Sequence, residues 1–178
     1  MEDPTLNKLI RNTELFFEHH WNVDLLGKPP EWSPVHFNFG KIPNYDKQGV
    51  YAFVKGDLVT YIGVGTSRGA GRYRGNGLSA RVMKYCRWNE DKTEYIAIDP
   101  RLKDAGSIIT IGFERDTAYL ANALEVFLIS KIQPVHNVVK VGMYVISHKK
   151  FYVKWIQSLS SKSALILSTV HFTVLLSK

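Results

Sequence analysis

The stretch GVYAFVKGDLVTYIG, residues 49–63, decides how the chain folds. Two apolar runs meet at the polar dipeptide Gly56-Asp57, which suits a hairpin turn, and predict strands over 49–54 and 58–63. Two registers are open. A two-residue turn at Gly56-Asp57 sets Ala52 against Tyr61 and Tyr51 against Ile62, so the tyrosines face opposite sides of the sheet. A three-residue turn over 55–57 pairs Tyr51 with Tyr61 directly, their Cβ atoms about 4.5–5.5 Å apart. Three-residue loops are common in hairpins, so the sequence permits a tyrosine pair on one face.

Outward from the hairpin, residues 65–77 form a loop holding Gly65, Gly69, Gly71, Gly75 and Gly77 together with Arg68, Arg72 and Arg74. A helix is expected over 78–87, then a strand at 107–114, SIITIGFE. Asp116 is placed to cap a long apolar helix that stops before Pro134. Upstream, residues 4–20 carry helical spacing, with Asp3 as cap and Pro4 in the first turn. Residues 27–45 hold four prolines and two glycines and read as an irregular connector. The tail offers a helix at 148–158, capped by Ser147, and an apolar segment after 164. A hairpin plus one later strand predicts the α+β class: a small three-stranded antiparallel sheet flanked by helices, with N-terminal helical and C-terminal extensions. A parallel sheet would need repeated crossovers, which this order lacks.

A length of 178 residues fits one domain with small appendages. The net charge of +7 is uneven: residues 126–178 hold seven lysines and no acid, and residues 58–89 hold six basic side chains and no acid. Two such regions suit a polyanion. Cys86 is the single cysteine, which excludes an intrachain disulfide and a cysteine-based zinc site. His19 and His20 are adjacent, point to different faces and lack partners for a metal. The glycines at 63, 65 and 69 have the wrong spacing for a dinucleotide loop, so no organic cofactor is expected. The run ALILSTVHFTVLL at 164–176 is too short to span a bilayer, and a cytoplasmic protein without membrane contact is expected.

GVY at 49–51 and YIG at 61–63 resemble the signature of the GIY-YIG nuclease superfamily. LSARVMKY at 78–85 is similar to that family's arginine-bearing helix. ALEVFLISKIQPVHN at 123–137 is similar to the helix that carries its metal-binding glutamate and the asparagine beyond it. The resemblance covers about residues 48–140, leaving 1–47 as an N-terminal helix and connector and 141–178 as a basic extension. Many members carry a lysine right after YIG, where this chain has Val64. The long arginine-bearing insertion and the helical N-terminal extension look most like the stand-alone type II restriction endonucleases of the superfamily.

The resemblance implies a Mg²⁺- or Mn²⁺-dependent hydrolysis of DNA phosphodiesters. Tyr61 is then the candidate general base, and Tyr51 orients the water or the phenol. Arg81 holds the phosphate through a two-pronged contact. Tyr85, four residues on, shares its helix face and bonds the phosphate or Tyr61. Glu125, a carboxylate in an apolar helix, is the metal ligand, since burial of such a group is costly unless it is paired or metal-bound. Asn137 is expected to hold its loop near the site. Arg68, Arg72, Arg74, Lys84 and Arg87 are the expected DNA contacts. Because one site cuts one strand, a homodimer on double-stranded DNA is the simplest arrangement. Two rivals remain open: a monomeric structure-directed or mobile-element nuclease, and a non-catalytic DNA-binding module.

Overall fold

The computed structural model describes residues 5–37, 39–69, 71 and 74–138. Its elements in chain order are α1 (Leu6–His20), α2 (Val23–Leu26), β1 (Gln48–Lys55), β2 (Leu58–Gly65), α3 (Gly77–Val82), β3 (Cys86–Trp88), β4 (Tyr95–Ala97), α4 (Pro100–Ala105), β5 (Ser107–Phe113) and α5 (Leu120–Ile132). The main sheet is antiparallel with the order β2-β1-β5, and β3 and β4 form a separate small hairpin. The arrangement is the expected α+β one, a three-stranded antiparallel sheet with flanking helices. The β3–β4 hairpin and α4 have no counterpart in the reading of the sequence.

The hairpin follows neither register expected of it. Gly56 takes a positive φ of 60°, and the turn has two residues, with Lys55 opposite Leu58 and Val54 opposite Val59. The register then shifts, and Phe53 faces Tyr61 while Tyr51 faces Gly63. Thr60 is the extra residue of a bulge. One inserted residue turns every later side chain of β2 to the other face. Tyr61 therefore joins Tyr51 and Phe53 on one side, diagonal to Tyr51 rather than opposite it.

β1 is the central strand and is covered on both faces, which is why residues 49–54 are all buried. On the tyrosine face, Phe53 and Ile108 pack with Leu78 and Val82 from α3, Leu102 and Ala105 from α4, and Phe39 and Ile42 from the connector. On the other face, α5 packs on β1 and β2, and α1 packs on α5. There Phe16 meets Phe127 at 5.6 Å between ring centroids, and Phe17 meets Phe113 at 6.1 Å.

Local signals explain most boundaries, with three corrections. Thr5, not Asp3, caps α1: its side chain accepts the Lys8 N–H at 3.4 Å. The helix expected over 78–87 stops at Val82, continues as a 3-10 turn over Met83–Tyr85, and gives way to β3. Asp116 does not cap α5, which begins only at Leu120 after the turn at 116–119. At its far end α5 closes on Gln133 in the left-handed region, and Pro134 prevents continuation. The helix expected at 148–158 and the apolar segment after 164 lie outside the described residues, as does Arg72.

Candidate active site

Three phenols meet on the covered face of the sheet. Tyr51 and Tyr61 come from β1 and β2, and Tyr85 from the 3-10 turn after α3. The ring centroids of Tyr51 lie 6.1 Å from Tyr61 and 6.0 Å from Tyr85, and those of Tyr61 and Tyr85 are 6.4 Å apart. The Tyr51 and Tyr85 hydroxyls share a hydrogen bond of 2.8 Å. Phe53 is the floor, 5.3 Å from both Tyr61 and Tyr85. Gly63 is what makes room. A Cβ there would lie 2.4 Å from Tyr51 Oη and 2.5 Å from its Cζ, so the third letter of YIG is the seat of the Tyr51 ring.

Burial orders the three phenols. Tyr51 is fully buried, and burial together with its two phenol neighbours pushes its pKa far above the ordinary tyrosine value. Burial also raises Tyr85, opposed by its bond to Tyr51. Both stay neutral hydroxyls around neutral pH, able to donate and accept. Tyr61 is the most exposed of the three, at 9%.

Arg81 lies on the solvent side, its guanidinium carbon 5.6 Å from the Tyr85 ring centroid. Its approach to the Tyr51 hydroxyl raises its pKa further, so it is always charged. A second guanidinium, which the sequence reading missed, stands on the other flank. Arg101 Cζ lies 4.8 Å from the Tyr61 ring centroid and 5.0 Å from that of Tyr85. Asp99 grips it through Nε at 2.9 Å and Nη2 at 2.7 Å. That pairing holds the Asp99 carboxyl below the usual range. The chain brings this pair back over a long detour. After Tyr85 it leaves through β3 and β4, and then Ile98 and Asp99 both donate backbone N–H groups to the Tyr85 carbonyl, at 2.8 and 3.2 Å. Asp99-Pro100 is a visible helix start, but nothing local announces that it closes onto Tyr85.

Asn137 is buried and ties the chain beyond α5 to β2. Its side-chain oxygen accepts the Ile62 N–H, and its Nδ2 donates to the Ile62 carbonyl, both at 2.8 Å. His136 N–H donates to the Thr60 carbonyl at 3.0 Å. Residues 136 and 137 therefore bind the outer edge of β2 on both sides of Tyr61.

Glu125 is buried within the inward stripe of α5, with Ala121, Leu124 and Leu128. α5 runs beside β2 in the opposite sense: Thr66 bonds Asn122 at 3.3 Å near one end, while His136 meets Thr60 past the other. Glu125 follows Asn122 by one helical step on the same side. Among the described residues no group of three or more His, Cys, Asp or Glu side chains gathers as a metal cage. One carboxylate is within what Mg²⁺ requires of a protein, since the ion keeps several waters and takes substrate phosphate oxygens besides one or two carboxylates.

Gly75 N–H donates to the Arg68 carbonyl at 2.8 Å and Arg74 N–H to Gly71 at 3.2 Å, so the arginine loop closes on itself. Its ends meet at Gly65 and Gly77, where a Cβ on Gly77 would lie 2.3 Å from the Gly65 carbonyl oxygen. Arg68, Arg74, Lys84 and Arg87 are all exposed. Cys86 is buried, its thiol pushed up to about 11, and has no nucleophilic part to play. Among the described residues no helix is long and apolar enough to cross a membrane. No protein-family model matches the chain, and no curated protein matches it.

Proposed function

We propose that the protein is a Mg²⁺-dependent DNA endonuclease of the GIY-YIG type, and more narrowly a type II restriction endonuclease that works as a homodimer on double-stranded DNA. The observation that carries this reading is the cluster of Tyr51, Tyr61 and Tyr85 around the Gly63 seat, with Arg81 on its solvent side. Four residues from three separate sequence motifs converge there, with hydrogen-bonding hydroxyls and a permanent cation side by side. Phosphodiester hydrolysis needs those groups.

Each side chain then has a task set by its surroundings. Arg81 binds two phosphate oxygens with its planar fork and offsets the charge that grows on them. Tyr61, the most exposed phenol, accepts a proton from the attacking water as its phenolate. Tyr51 is too deeply buried to meet water, so it orients Tyr85 through their shared hydrogen bond. Asn137 fixes the backbone on which Tyr61 stands. Glu125, on α5 across the sheet from the phenols, is the residue the resemblance assigns to Mg²⁺ or Mn²⁺, an ion that would supply positive charge to the phosphate and the leaving oxygen. The homodimer follows from stoichiometry, since one such site cuts one strand.

The test is digestion of a mixed-sequence plasmid with Mg²⁺ and sequencing of the ends. Wild type is expected to give discrete fragments, while Tyr61→Phe and Glu125→Gln bind DNA and leave it intact. Normal cleavage by Glu125→Gln removes the metal assignment. Random nicking, or preference for branched DNA by a monomer, replaces the restriction reading with the structure-directed one.

A further inference from the structure

The paired Arg101 and Asp99 have no task in the chemistry above, yet they touch two of its three phenols. We infer that Arg101, locked by Asp99, is the second phosphate-binding cation of the site, gripping the phosphate from the Tyr61 flank as Arg81 does from the Tyr85 flank. This rests on the nuclease reading and assigns that site a residue drawn from outside its motifs.

The mount is built for a fixed cation. Asp99 caps α4 by accepting the Arg101 backbone N–H at 2.9 Å, and the same carboxylate takes the Nε and Nη2 edge of the side chain. The Tyr85 carbonyl pins Ile98 and Asp99. The guanidinium is thus held at its backbone, along one edge and against two aromatic rings. An arginine fork has a second edge, between its two Nη groups. No acceptor among the described residues occupies that edge, and the side chain remains 34% exposed. A planar donor pair presented beside Tyr61, the least buried of the three phenols, matches the two oxygens of a phosphodiester.

An arginine that only packs on the phenols would make the same ring contacts, so the test must separate charge from packing. Arg101→Gln removes the charge and leaves a planar amide on a stem one methylene shorter, while Arg101→Lys keeps the charge and removes the planar group that lies on the rings. Full-length wild type, Arg101→Gln, Arg101→Lys and Asp99→Asn are compared on mixed-sequence duplex DNA. The readouts are the salt dependence of binding without metal, and the single-turnover cleavage rate with Mg²⁺. Loss of one phosphate contact lowers the slope of log K against log salt by about 0.9. Arg101→Gln is expected to show that loss together with a cleavage rate reduced about 100-fold, the scale of removing a preorganised donor. Arg101→Lys recovers the slope and only part of the rate. Asp99→Asn retains the slope but cuts more slowly, because the charge remains and its aim is lost. An unchanged slope in Arg101→Gln overturns the proposal whatever the cleavage rates. If wild type binds duplex DNA but never cuts it, the nuclease reading falls, and the slope still decides whether Arg101 holds a phosphate.

Discussion

At Gly63 the side chain is absent because the Tyr51 ring already occupies its place. Gly63→Ala would set a methyl group 2.4 Å from the Tyr51 hydroxyl, on a ring that is fully buried and bonded to Tyr85. The clash is with a rigid aromatic in a packed layer, so relief requires movement of β2 or of the ring. The expected cost is about 1–3 kcal/mol of stability, as for overpacking generally. Cleavage should fall further than stability, because the ring that moves is the one that orients Tyr85. Urea denaturation and single-turnover rates on the same preparation check both. The phenols themselves predict a pH dependence. Folding raises the pKa of Tyr51 and Tyr85 above the unfolded value of about 10. Their stabilisation is fully present below that pH and is lost as the pH rises beyond it, since the unfolded chain ionises first. Unfolding free energy measured from pH 8 to 11.5 should decline above about pH 10, and Tyr51→Phe should flatten the decline.

The central sheet has two free edges, and irregular segments cover both. Along β5, the Ser33 N–H donates to the Thr110 carbonyl at 2.8 Å, and His36 exchanges backbone bonds with Ile108, both at 2.9 Å. Along β2, His136 and Asn137 do the equivalent at Thr60 and Ile62. Blunted edges do not recruit further strands. On the β2 side the cover also fixes the strand at its bulge, where the register with β1 shifts. Asn137→Ala would leave the buried Ile62 N–H and carbonyl without these partners, a cost of about 2–4 kcal/mol. Asn137→Asp would restore the acceptor but aim a carboxylate oxygen at the Ile62 carbonyl, and should recover little. Amide exchange at Ile62 is expected to accelerate in both variants while exchange at Ala52, in the central strand, follows only the global stability. Equal acceleration at both amides would show that Asn137 acts on the fold as a whole.

For the whole molecule the distribution of charge matters more than its sum. The loop between β2 and α3 lifts Arg68 and Arg74 into solvent on a closed turn, and Gly75 within it lies beside Arg115. Arg68→Ala and Arg74→Ala are each expected to lower the salt slope of DNA binding by about 0.9, with cleavage-site preference unchanged. A relaxed preference at one base pair in either variant would instead identify that arginine as a reader of a base edge, worth about 1–3 kcal/mol of discrimination.

The sequence by itself determined the sheet and the helices that carry the phenols. Alternating and continuous apolar runs encode strands and helices locally, and Gly56-Asp57 and Pro134 mark ends by their own backbone limits. It also marked Tyr51, Tyr61, Arg81 and Tyr85, through the resemblance of GVY, YIG and LSARVMKY to the motifs of a known family. Tertiary structure alone decided three things. The bulge at Thr60 put Tyr61 on the Tyr51 face, and a bulge is selected by packing on both faces of β2 rather than by any residue in the turn. Arg101 came to the site because a hairpin starting at Cys86 closes on the Tyr85 carbonyl, a backbone bond that leaves no trace in side-chain identity. Asn137 found Ile62 across 75 positions of chain, since a free strand edge accepts whichever polar group the fold delivers to it.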